Sequence, residues 1–326
     1  MITDRYVVGV DGGATKTLAL IGTTTGKVLG MGAAGSSNYH NIGELAAGKA
    51  IKTAVARAKK QTGLVKRKIG TAVVALAAVD STEDFRVARR FVRRANVAEE
   101  IVVIHDSVAA VYAATQGRPG VIVNSGTGCF AAGVNQAGEY VRVGGWGYLI
   151  DDKGSAFDIG MRAITVAFRM MDGRTPPTKL TTLLKRRLGV KRFDEILDII
   201  YANKLSVEEI ARLAPLVSKA ASKDKVCRRI LNEAGTSLAE LAVTAARRLK
   251  MTNRPFQLAT VGGGFKSGRY LLEPFTSRIK DNCPRARFVT LRDEPAKGAY
   301  LIATKLAHYG SEGLPPNDRW LSMAVK

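Results

Sequence analysis

A single carboxylate ends an apolar run near the start of the chain, and small polar residues follow it. The segment VVGVDGGATKT covers residues 7–17, in which Asp11 precedes two glycines, two threonines and Lys16. Glycine leaves its backbone N–H unshielded, and threonine hydroxyls and a lysine add further donors, so such a turn can bind an anion. A second turn, Gly126-Thr127-Gly128, follows another apolar run. The sequence therefore predicts two anion-binding turns.

A third glycine-rich turn, Gly262-Gly263-Gly264, lies later in the chain, and none of the three turns fits the common phosphate-binding motifs. A Walker A loop requires glycine directly before its lysine, whereas Thr15 precedes Lys16 and Phe265 precedes Lys266. Residues 126–131 match GxGxxA, but the next segment predicts a strand and a tight turn rather than the helix that holds a pyrophosphate in a Rossmann fold. The sequence favours hairpin turns as the anion-binding elements.

Apolar runs separated by turn residues lead into and out of the first turn. Their alternation predicts an antiparallel meander of strands at 6–10, 17–21 and 27–31, followed by a helix over 43–62 that stops at Gly63. The next predicted elements are a strand at 71–76, a helix at 82–95, a strand at 101–105 and a helix from 106 or 107 to 115. The order is βββαβαβα.

The chain after residues 117–120 (GRPG) repeats this order. The segment GVIVNSGTGCFAAGVNQAGEYVRVGG predicts three more strands, and the residues that follow a helical block at about 154–251 complete a second βββαβαβα set. An internal duplication predicts two similar α/β lobes with a cleft between them and the helical block inserted in the second. We expect an N-terminal lobe at 1–118, with residues 296–326 packing back on it, and a C-terminal lobe at 119–295.

Composition narrows the class of protein. The 326 residues are enough for two domains, and 46% hydrophobic with 6% aromatic residues is typical of an α/β protein. The chain has no apolar stretch long enough to cross a bilayer and no signal-peptide pattern, so we expect a cytoplasmic protein. Three cysteines and three histidines are scattered, which argues against a disulfide framework and against zinc.

The charge balance is strongly basic, with a net charge of +22. Such an excess raises the question of nucleic-acid binding. The basic residues form short clusters spread along the chain, mostly in predicted helices, and no RNA-binding aromatic motif accompanies them. This pattern favours a solvated basic surface over a polyanion-binding patch, which is the alternative.

Several segments, in this order, resemble one family. GVDGGATKT, NSGTGC, GGWGYLIDDKGSAFDIG and VGGGF are similar to sugar kinases of the actin, Hsp70 and hexokinase superfamily, in its N-acetylglucosamine kinase and BadF/BadG/BcrA/BcrD ATPase branch. GSSNYHNIG, HDSVAA and RMMDG resemble the archaeal broad-specificity ATP-dependent hexokinases of that branch. The resemblance extends to about residue 308 and implies two ribonuclease H-like lobes, the actin/hexokinase fold.

The resemblance also implies the reaction, the transfer of the γ-phosphoryl group of Mg-ATP to the 6-hydroxyl of a hexose or hexosamine. Phosphoryl transfer depends mainly on positioning and charge neutralisation, so few reactive side chains are needed. Asp11 would hold Mg²⁺ through water. The residues implied for nucleotide and phosphate binding are Gly12, Gly13, Ala14, Thr15, Lys16, Thr17, Gly126, Thr127 and Gly128, with Gly262, Gly263 and Gly264 against the adenosine.

Asp106 ends the strand IVVIH and opens a helix. This places it at the carboxyl edge of the first sheet, where open α/β sheets bind ligands. Position alone leaves two roles open, a helix N-cap, with Ser107 as an alternative cap, and a general base for the acceptor hydroxyl. The resemblance favours the base.

The resemblance implies that Asn38, Gly145 and Asp152 bind the sugar together with Asp106. Two structural roles stay open beside this one, since Asn38 could hold a loop and Asp151 or Asp152 could cap the helix at Gly154. Lys153 stands where family members often have an acid. This departure puts ligand contacts at that loop in doubt.

Selectivity for an N-acetyl group is not supported by the second turn. Cys129-Phe130-Ala131 follow Gly128, where N-acetyl-selective eukaryotic relatives carry Ser-Asn-Cys. Glucose, mannose, glucosamine and N-acetylglucosamine are therefore all candidate acceptors.

Two other functions are compatible with the same fold. A BadF-type ATPase that activates a radical dehydratase holds an iron–sulfur cluster between subunits with paired cysteines, whereas the three cysteines here lie apart. A nucleotide-switched binding protein would not need Asp106, and its binding to nucleic acid would weaken steeply with salt. Relatives of the kinase branch imply a homodimer.

Overall fold

Two five-stranded sheets with flanking helices organise the protein, in a computed structural model that describes residues 6–77, 79–202, 204–291 and 293–309. The strands of the first sheet are β1 (Tyr6–Gly12), β2 (Thr17–Thr23), β3 (Val28–Ala34), β4 (Ile69–Leu76) and β5 (Glu100–His105), in the spatial order β3-β2-β1-β4-β5. β1 pairs antiparallel with β2 and parallel with β4. Its central place explains why its residues from Val7 to Val10 are buried.

The helices of the first sequence repeat are α1 (Tyr39–Ile42), α2 (Glu44–Gln61), α3 (Thr82–Ala95) and α4 (Asp106–Thr115). α2 packs on β3 very closely, because a Cβ on Gly32 would lie 2.2 Å from the Ala54 carbonyl oxygen. α3 begins at a capping box, in which the Ser81 hydroxyl accepts from the Asp84 N–H and the Asp84 carboxylate accepts from the Ser81 N–H. The predicted helix at 82–95 is confirmed with both its bounds.

The second sheet repeats the strand order of the first. Its strands are β6 (Gly120–Ser125), β7 (Cys129–Val134), β8 (Tyr140–Gly144), β9 (Phe256–Val261) and β10 (Ala286–Val289), in the order β10-β9-β6-β7-β8. When β6 is matched with β1, the two orders are the same. The predicted α/β fold with an internal duplication is therefore confirmed.

The predicted helical block consists of six helices, which the sequence did not resolve individually. They are α5 (Ala156–Met171), α6 (Leu180–Leu188), α7 (Glu195–Tyr201), α8 (Val207–Ala211), α9 (Ala214–Ala220) and α10 (Lys225–Arg248), and the chain continues with a 3₁₀ helix (Gly263–Ser267), α11 (Arg269–Asn282) and α12 (Pro295–Tyr309). α10 packs closely on α11, since a Cβ on Gly235 would lie 2.2 Å from the Leu271 carbonyl oxygen.

Contacts divide the described residues into two compact units. The first extends up to Gly120 and includes residues 133–141 and the chain from Val289 onward, and the second comprises residues 121–132 and 142–288. Within the first unit α12 packs on β1 and α4, and a Cβ on Gly9 would lie 2.0 Å from the Tyr300 nitrogen. The lobe boundaries expected from the sequence stay a prediction, and residues 310–326 of that prediction lie outside the described residues.

Among the helices that the described ranges contain, none is both long enough and apolar enough to cross a bilayer.

Candidate active site

Asp11 lies near the end of the central strand of the first sheet. It pairs with Leu18 of β2 and Ala75 of β4, so the strands around it restrict access of water to its carboxylate. Burial, and after it the charges of Asp106 and Glu294, raise the pKa of Asp11 from 3.8 to about 6, while the charge of Lys16 opposes this shift. Three carboxylates thus share one lysine, and the excess of negative charge at this strand end suits a divalent cation.

A tight turn follows Asp11. Gly13 N–H donates to the Lys16 carbonyl at 2.9 Å, and Ser37 N–H donates to the Gly13 carbonyl at 3.2 Å. Gly12 cannot be replaced without movement, because a Cβ there would lie 2.3 Å from the Ser37 hydroxyl oxygen. Gly13 is half-buried, whereas Ala14, Thr15 and Lys16 are exposed, so these turn residues are accessible to a ligand.

Thr17, the last residue of the first turn, differs from Ala14, Thr15 and Lys16 in its exposure to solvent. Thr17 is fully buried, and its hydroxyl donates to the Gly35 carbonyl at 2.7 Å. Its side chain therefore already has a partner within the protein. Lys16 is paired as well, since its Nζ lies 3.1 Å from Glu294 Oε2, but both of these side chains are more than half exposed.

Asp106 is the first residue of α4, and its side chain is 35% exposed. The N-cap of α4 is His105, whose Nδ1 accepts from the Ser107 N–H at 3.1 Å. The capping alternatives for Asp106 and Ser107 are therefore wrong, because a ring nitrogen of the preceding residue fills that role. The Asp106 carboxylate stays partly open to solvent, at the end of β5 and within electrostatic reach of Asp11.

Asn38 caps the one-turn helix α1. Its side-chain oxygen accepts from the His40 N–H at 3.1 Å, which confirms the loop-holding role that the sequence left open. The same loop is tied to the turn after Asp11, because Ser37 N–H and Gly13 carbonyl are hydrogen-bonded. Asn38 is thus held in the loop that contacts the first turn.

The second glycine turn follows β6 in the second unit. Gly126 N–H donates to the Gly128 carbonyl at 2.9 Å, and Ala156 N–H at the start of α5 donates to the Gly126 carbonyl at 2.8 Å. A Cβ on Gly128 would lie 2.8 Å from Asp152 Oδ2. Glycine is therefore required where this turn meets Asp152.

Asp152 supports this turn from behind. It is 5% exposed, it has a positive φ of 63°, and its Oδ1 accepts from the Cys129 N–H at 3.1 Å. Burial raises the pKa of Asp152, and the Cys129 N–H opposes that shift. The helix-capping alternative for Asp151 or Asp152 is wrong, since the N-cap of α5 is Ser155, whose side chain accepts from the Asp158 N–H.

Gly145 begins an exposed loop in the same unit. Its φ is 76°, and its carbonyl accepts from the Arg142 guanidinium at 3.0 Å. Trp146, which follows it, is 71% exposed, and Leu149 and Ile150 are exposed as well. These side chains contribute little to the core, so the loop presents apolar surface beside Gly145.

A cavity of about 640 Å³ lies within the second unit and is lined by residues from both of its glycine segments. Gly126 and Thr127 line it together with Gly263 and Gly264, and residues of α8 and α9 form another part of its lining. Gly264 packs against β6, because a Cβ there would lie 2.0 Å from the Ser125 hydroxyl oxygen. The neighbouring Gly262 has a φ of 96°. A cavity of this volume, with mostly apolar walls, fits a nucleoside.

Two parts of the candidate site were missed by the sequence reasoning. Glu294 lies directly before the Pro295 that begins α12, and a Glu-Pro pair at a helix start was the available signal. The wall formed by α8 and α9 gave no signal, because both helices are short and their place beside the 3₁₀ helix is set by tertiary packing.

The acidic residues fit magnesium better than a metal bound by protein alone. Within the described ranges no group of three or more His, Cys, Asp or Glu side chains could hold a metal ion. Mg²⁺ usually takes one or two carboxylates and completes its shell with water and substrate phosphates. Asp11, buried and surrounded by further negative charge, suits that mode of binding.

Comparison with known proteins agrees with this geometry. An N-acetylmuramic acid/N-acetylglucosamine kinase from Clostridium acetobutylicum is 31% identical, over 92% of this chain and 98% of its own. A solved structure from Chromobacterium violaceum, provisionally assigned as an N-acetylglucosamine kinase, is 27% identical, covers 92% of this chain and 99% of its own, and has a TM-score of 0.68.

The solved structure of a ROK hexokinase from Thermus thermophilus has a TM-score of 0.60 with this chain. It is 17% identical and covers 93% of this chain and 100% of its own. This similarity confirms the expected actin/hexokinase type of fold. The model of the BadF/BadG/BcrA/BcrD ATPase family matches residues 8–303. This match extends from β1 to α12 and includes both glycine turns, Asp11 and Asp106, and the chain therefore belongs to the BadF/BadG/BcrA/BcrD ATPase family.

Proposed function

We propose that the protein is an ATP-dependent sugar kinase that phosphorylates the 6-hydroxyl of a hexose or hexosamine. The observation that carries this proposal is the pair of carboxylates at adjacent strand ends of the first unit. Both residues are partly accessible to solvent, but desolvation raises the pKa of Asp11, whereas the Asp106 carboxylate lies 2.8 Å from His105 Nδ1. Two carboxylates in such different surroundings suit two different roles, one toward a cation and one toward a proton.

Asp106 acts as the general base in this proposal. The oxygen of the acceptor hydroxyl attacks the γ-phosphorus, the bond from that phosphorus to the β–γ bridging oxygen breaks, and ADP leaves. The hydroxyl proton passes to the Asp106 carboxylate and from there to solvent. A positioned base contributes about 10²- to 10⁴-fold to such a step.

Asp11 contributes by holding Mg²⁺ through water. When bound, Mg²⁺ neutralises charge on the β- and γ-phosphate oxygens. A cation would also remove the cost of keeping Asp11 ionised beside two further carboxylates. Lys16, which is exposed and paired with an exposed glutamate, is available to exchange that partner for a phosphate.

The nucleotide is bound by the glycine segments. The adenosine occupies the cavity lined by Gly263 and Gly264, with Gly262 in the same segment. The turn of Gly126, Thr127 and Gly128 contacts phosphates, with the Gly126 N–H closing the turn and the N–H groups of the other two residues directed to the ligand. The turn from Gly12 to Thr17 does the same in the first unit, where the Gly13 N–H closes the turn. The cavity volume and its mostly apolar walls support the first of these assignments.

The acceptor sugar is bound by Asn38, Asp106, Gly145 and Asp152. Asn38 and Asp106 lie at the loop and strand end beside Asp11, which supports their assignment. Asp152 is 5% exposed and therefore acts mainly by holding the turn at Gly128. Its Oδ1 accepts from the Cys129 N–H, and its Oδ2 is the oxygen assigned to the sugar. We include a homodimer in the proposal, as the kinase branch implies.

The test is ADP release from Mg-ATP with and without glucose, mannose, glucosamine or N-acetylglucosamine. ADP release is expected to depend on a sugar, and Asp106→Asn is expected to lower kcat by about 10²- to 10⁴-fold. Asp281 is an exposed carboxylate on α11, so Asp281→Asn is the matched control and should not change kcat. ATP hydrolysis that proceeds equally without any sugar would favour the ATPase alternative.

A further inference from the structure

The imidazole ring of His105 lies between two carboxylates. Its Nδ1 is 2.8 Å from Asp106 Oδ1, and its Nε2 is 3.2 Å from Asp80 Oδ1. The ring is only 14% exposed, whereas the Asp80 side chain is 57% exposed. We propose that His105 is a positioning residue for Asp106, an inference that rests on the proposed role of Asp106 as the base.

The contacts around Nδ1 make two competing demands on its protonation. The Ser107 N–H donates to Nδ1 from 3.1 Å and needs an unprotonated nitrogen, whereas an ionised Asp106 oxygen at 2.8 Å favours a positively charged ring. A ring nitrogen carries either a proton or a lone pair in the plane of the ring, so Nδ1 cannot accept from the Ser107 N–H while it is protonated. Without the proton on Nδ1, two acceptors would face each other at hydrogen-bond distance.

Protonation of both ring nitrogens satisfies both carboxylates. The imidazolium then donates through Nε2 to Asp80, and its positive charge at Nδ1 forms an ion pair with Asp106 Oδ1 at 2.8 Å. The Nδ1–H donates to the Ser107 hydroxyl at 2.6 Å, and this hydroxyl is itself held by the Tyr140 hydroxyl at 2.7 Å. Tyr140 thus belongs to the network that fixes the ring from the side opposite Asp80.

This arrangement would serve a base by fixing its position. A positive charge 2.8 Å from Oδ1 keeps the Asp106 carboxylate in one orientation and leaves Oδ2 for the acceptor hydroxyl. His105 itself does not need to exchange a proton with the substrate.

When Nδ1 is unprotonated, the ring instead caps α4 by accepting from the Ser107 N–H, so a test must separate positioning from capping. His105→Ala removes both the cap and the donor. His105→Asn retains both, because asparagine is a favourable N-cap and its amide nitrogen can donate to Asp106. Both substitutions are made in the wild-type chain and in Asp106→Asn, and the free energy of unfolding is measured for all variants.

We expect His105→Ala to lower kcat by about 10- to 100-fold with little change in KM for the sugar, since a misplaced catalytic group can cost about 10²-fold. His105→Asn should recover most of that loss. In Asp106→Asn, His105→Ala should change kcat by less than about twofold, because residues that act through one another are not additive.

Each result bears on a different claim. If Asp106→Asn leaves kcat unchanged, the proposed role of Asp106 as the base is wrong. If Asp106→Asn lowers kcat but His105→Ala does not, only the positioning role is overturned. An equal loss from His105→Ala in both backgrounds would also overturn it, since His105 would then act independently of Asp106.

Discussion

Replacing Asp11 with asparagine is expected to stabilise the fold at neutral pH while it removes activity. The pKa of Asp11 rises from 3.8 to about 6 on folding, first through burial and then through Asp106 and Glu294. At about 1.4 kcal/mol per pKa unit, keeping this carboxylate ionised in the folded state costs about 2 to 3 kcal/mol. Asparagine has nearly the same shape and carries no charge, so Asp11→Asn removes that cost.

The sign of the pH dependence follows from proton binding. An acid whose pKa is raised on folding holds its proton more tightly in the folded state, so stability falls as the pH rises from 3.8 to about 6. The cost is complete above that range and absent below it. The stabilising effect of Asp11→Asn should therefore be complete at about pH 7.5 and mostly lost at about pH 4.

The assay is urea-induced unfolding of both proteins at the two pH values, with a chelator present. Asp11→Asn should gain about 2 to 3 kcal/mol at the higher pH. The control is again Asp281→Asn, which should have no effect because Asp281 is exposed. Adding Mg²⁺ with ATP at the higher pH should stabilise the wild-type protein more than the variant, since ligand binding adds to stability.

Two outcomes would refute this reasoning. If Asp11→Asn is less stable than the wild-type protein at the higher pH, the carboxylate is stabilised by contacts that outweigh its burial. If the variant is more stable by the same amount at both pH values, the effect does not come from ionisation. Retained sugar kinase activity in Asp11→Asn would separately contradict its proposed role toward Mg²⁺.

Three shorter predictions concern the second unit. Gly264→Ala should raise the KM for ATP at least tenfold and lower the free energy of unfolding by about 1 to 3 kcal/mol, because its Cβ would lie 2.0 Å from the Ser125 hydroxyl oxygen. Gly263→Ala should leave the free energy of unfolding unchanged in the same assay, because a Cβ added there has no atom of the described residues within 4 Å. Asp152→Ala should cost about 1 to 3 kcal/mol by leaving the Cys129 N–H without its acceptor, whereas Asp152→Asn, which tolerates a positive φ, should cost less. The three buried cysteines should react with a thiol reagent only after urea is added, since burial raises the pKa of each thiol.

The regular elements could be predicted because their signals are local. Strands of the first sheet alternate with glycine turns, and α3 is preceded by a serine that caps it, so its bounds follow from the sequence. The one-turn helix α1 and the 3₁₀ helix at Gly263–Ser267 are too short to show a period. The division of the helical block into α5 to α10 depends on packing between helices, which single-sequence periodicity does not contain.

The candidate site was predicted where its chemistry is local and missed where partners come from elsewhere in the chain. Both glycine turns and Asp11 follow directly from residue types at strand ends. The engagement of Thr17 by Gly35 and the pairing of Lys16 with Glu294 join residues distant in sequence. The cap at His105 was missed for another reason, because histidine is not among the residues that usually cap helices.

The duplication explains why the two turns can have different roles. In each copy the strand runs into a turn that a glycine N–H closes at 2.9 Å, Gly13 to Lys16 in the first and Gly126 to Gly128 in the second. Two residues before that glycine stands Asp11 in the first copy and Asn124 in the second. An ionised carboxylate beside a turn attracts a cation and repels a phosphate, whereas an amide can donate to one. The same backbone position therefore suits a metal-bound phosphate in one copy and a direct phosphate contact in the other.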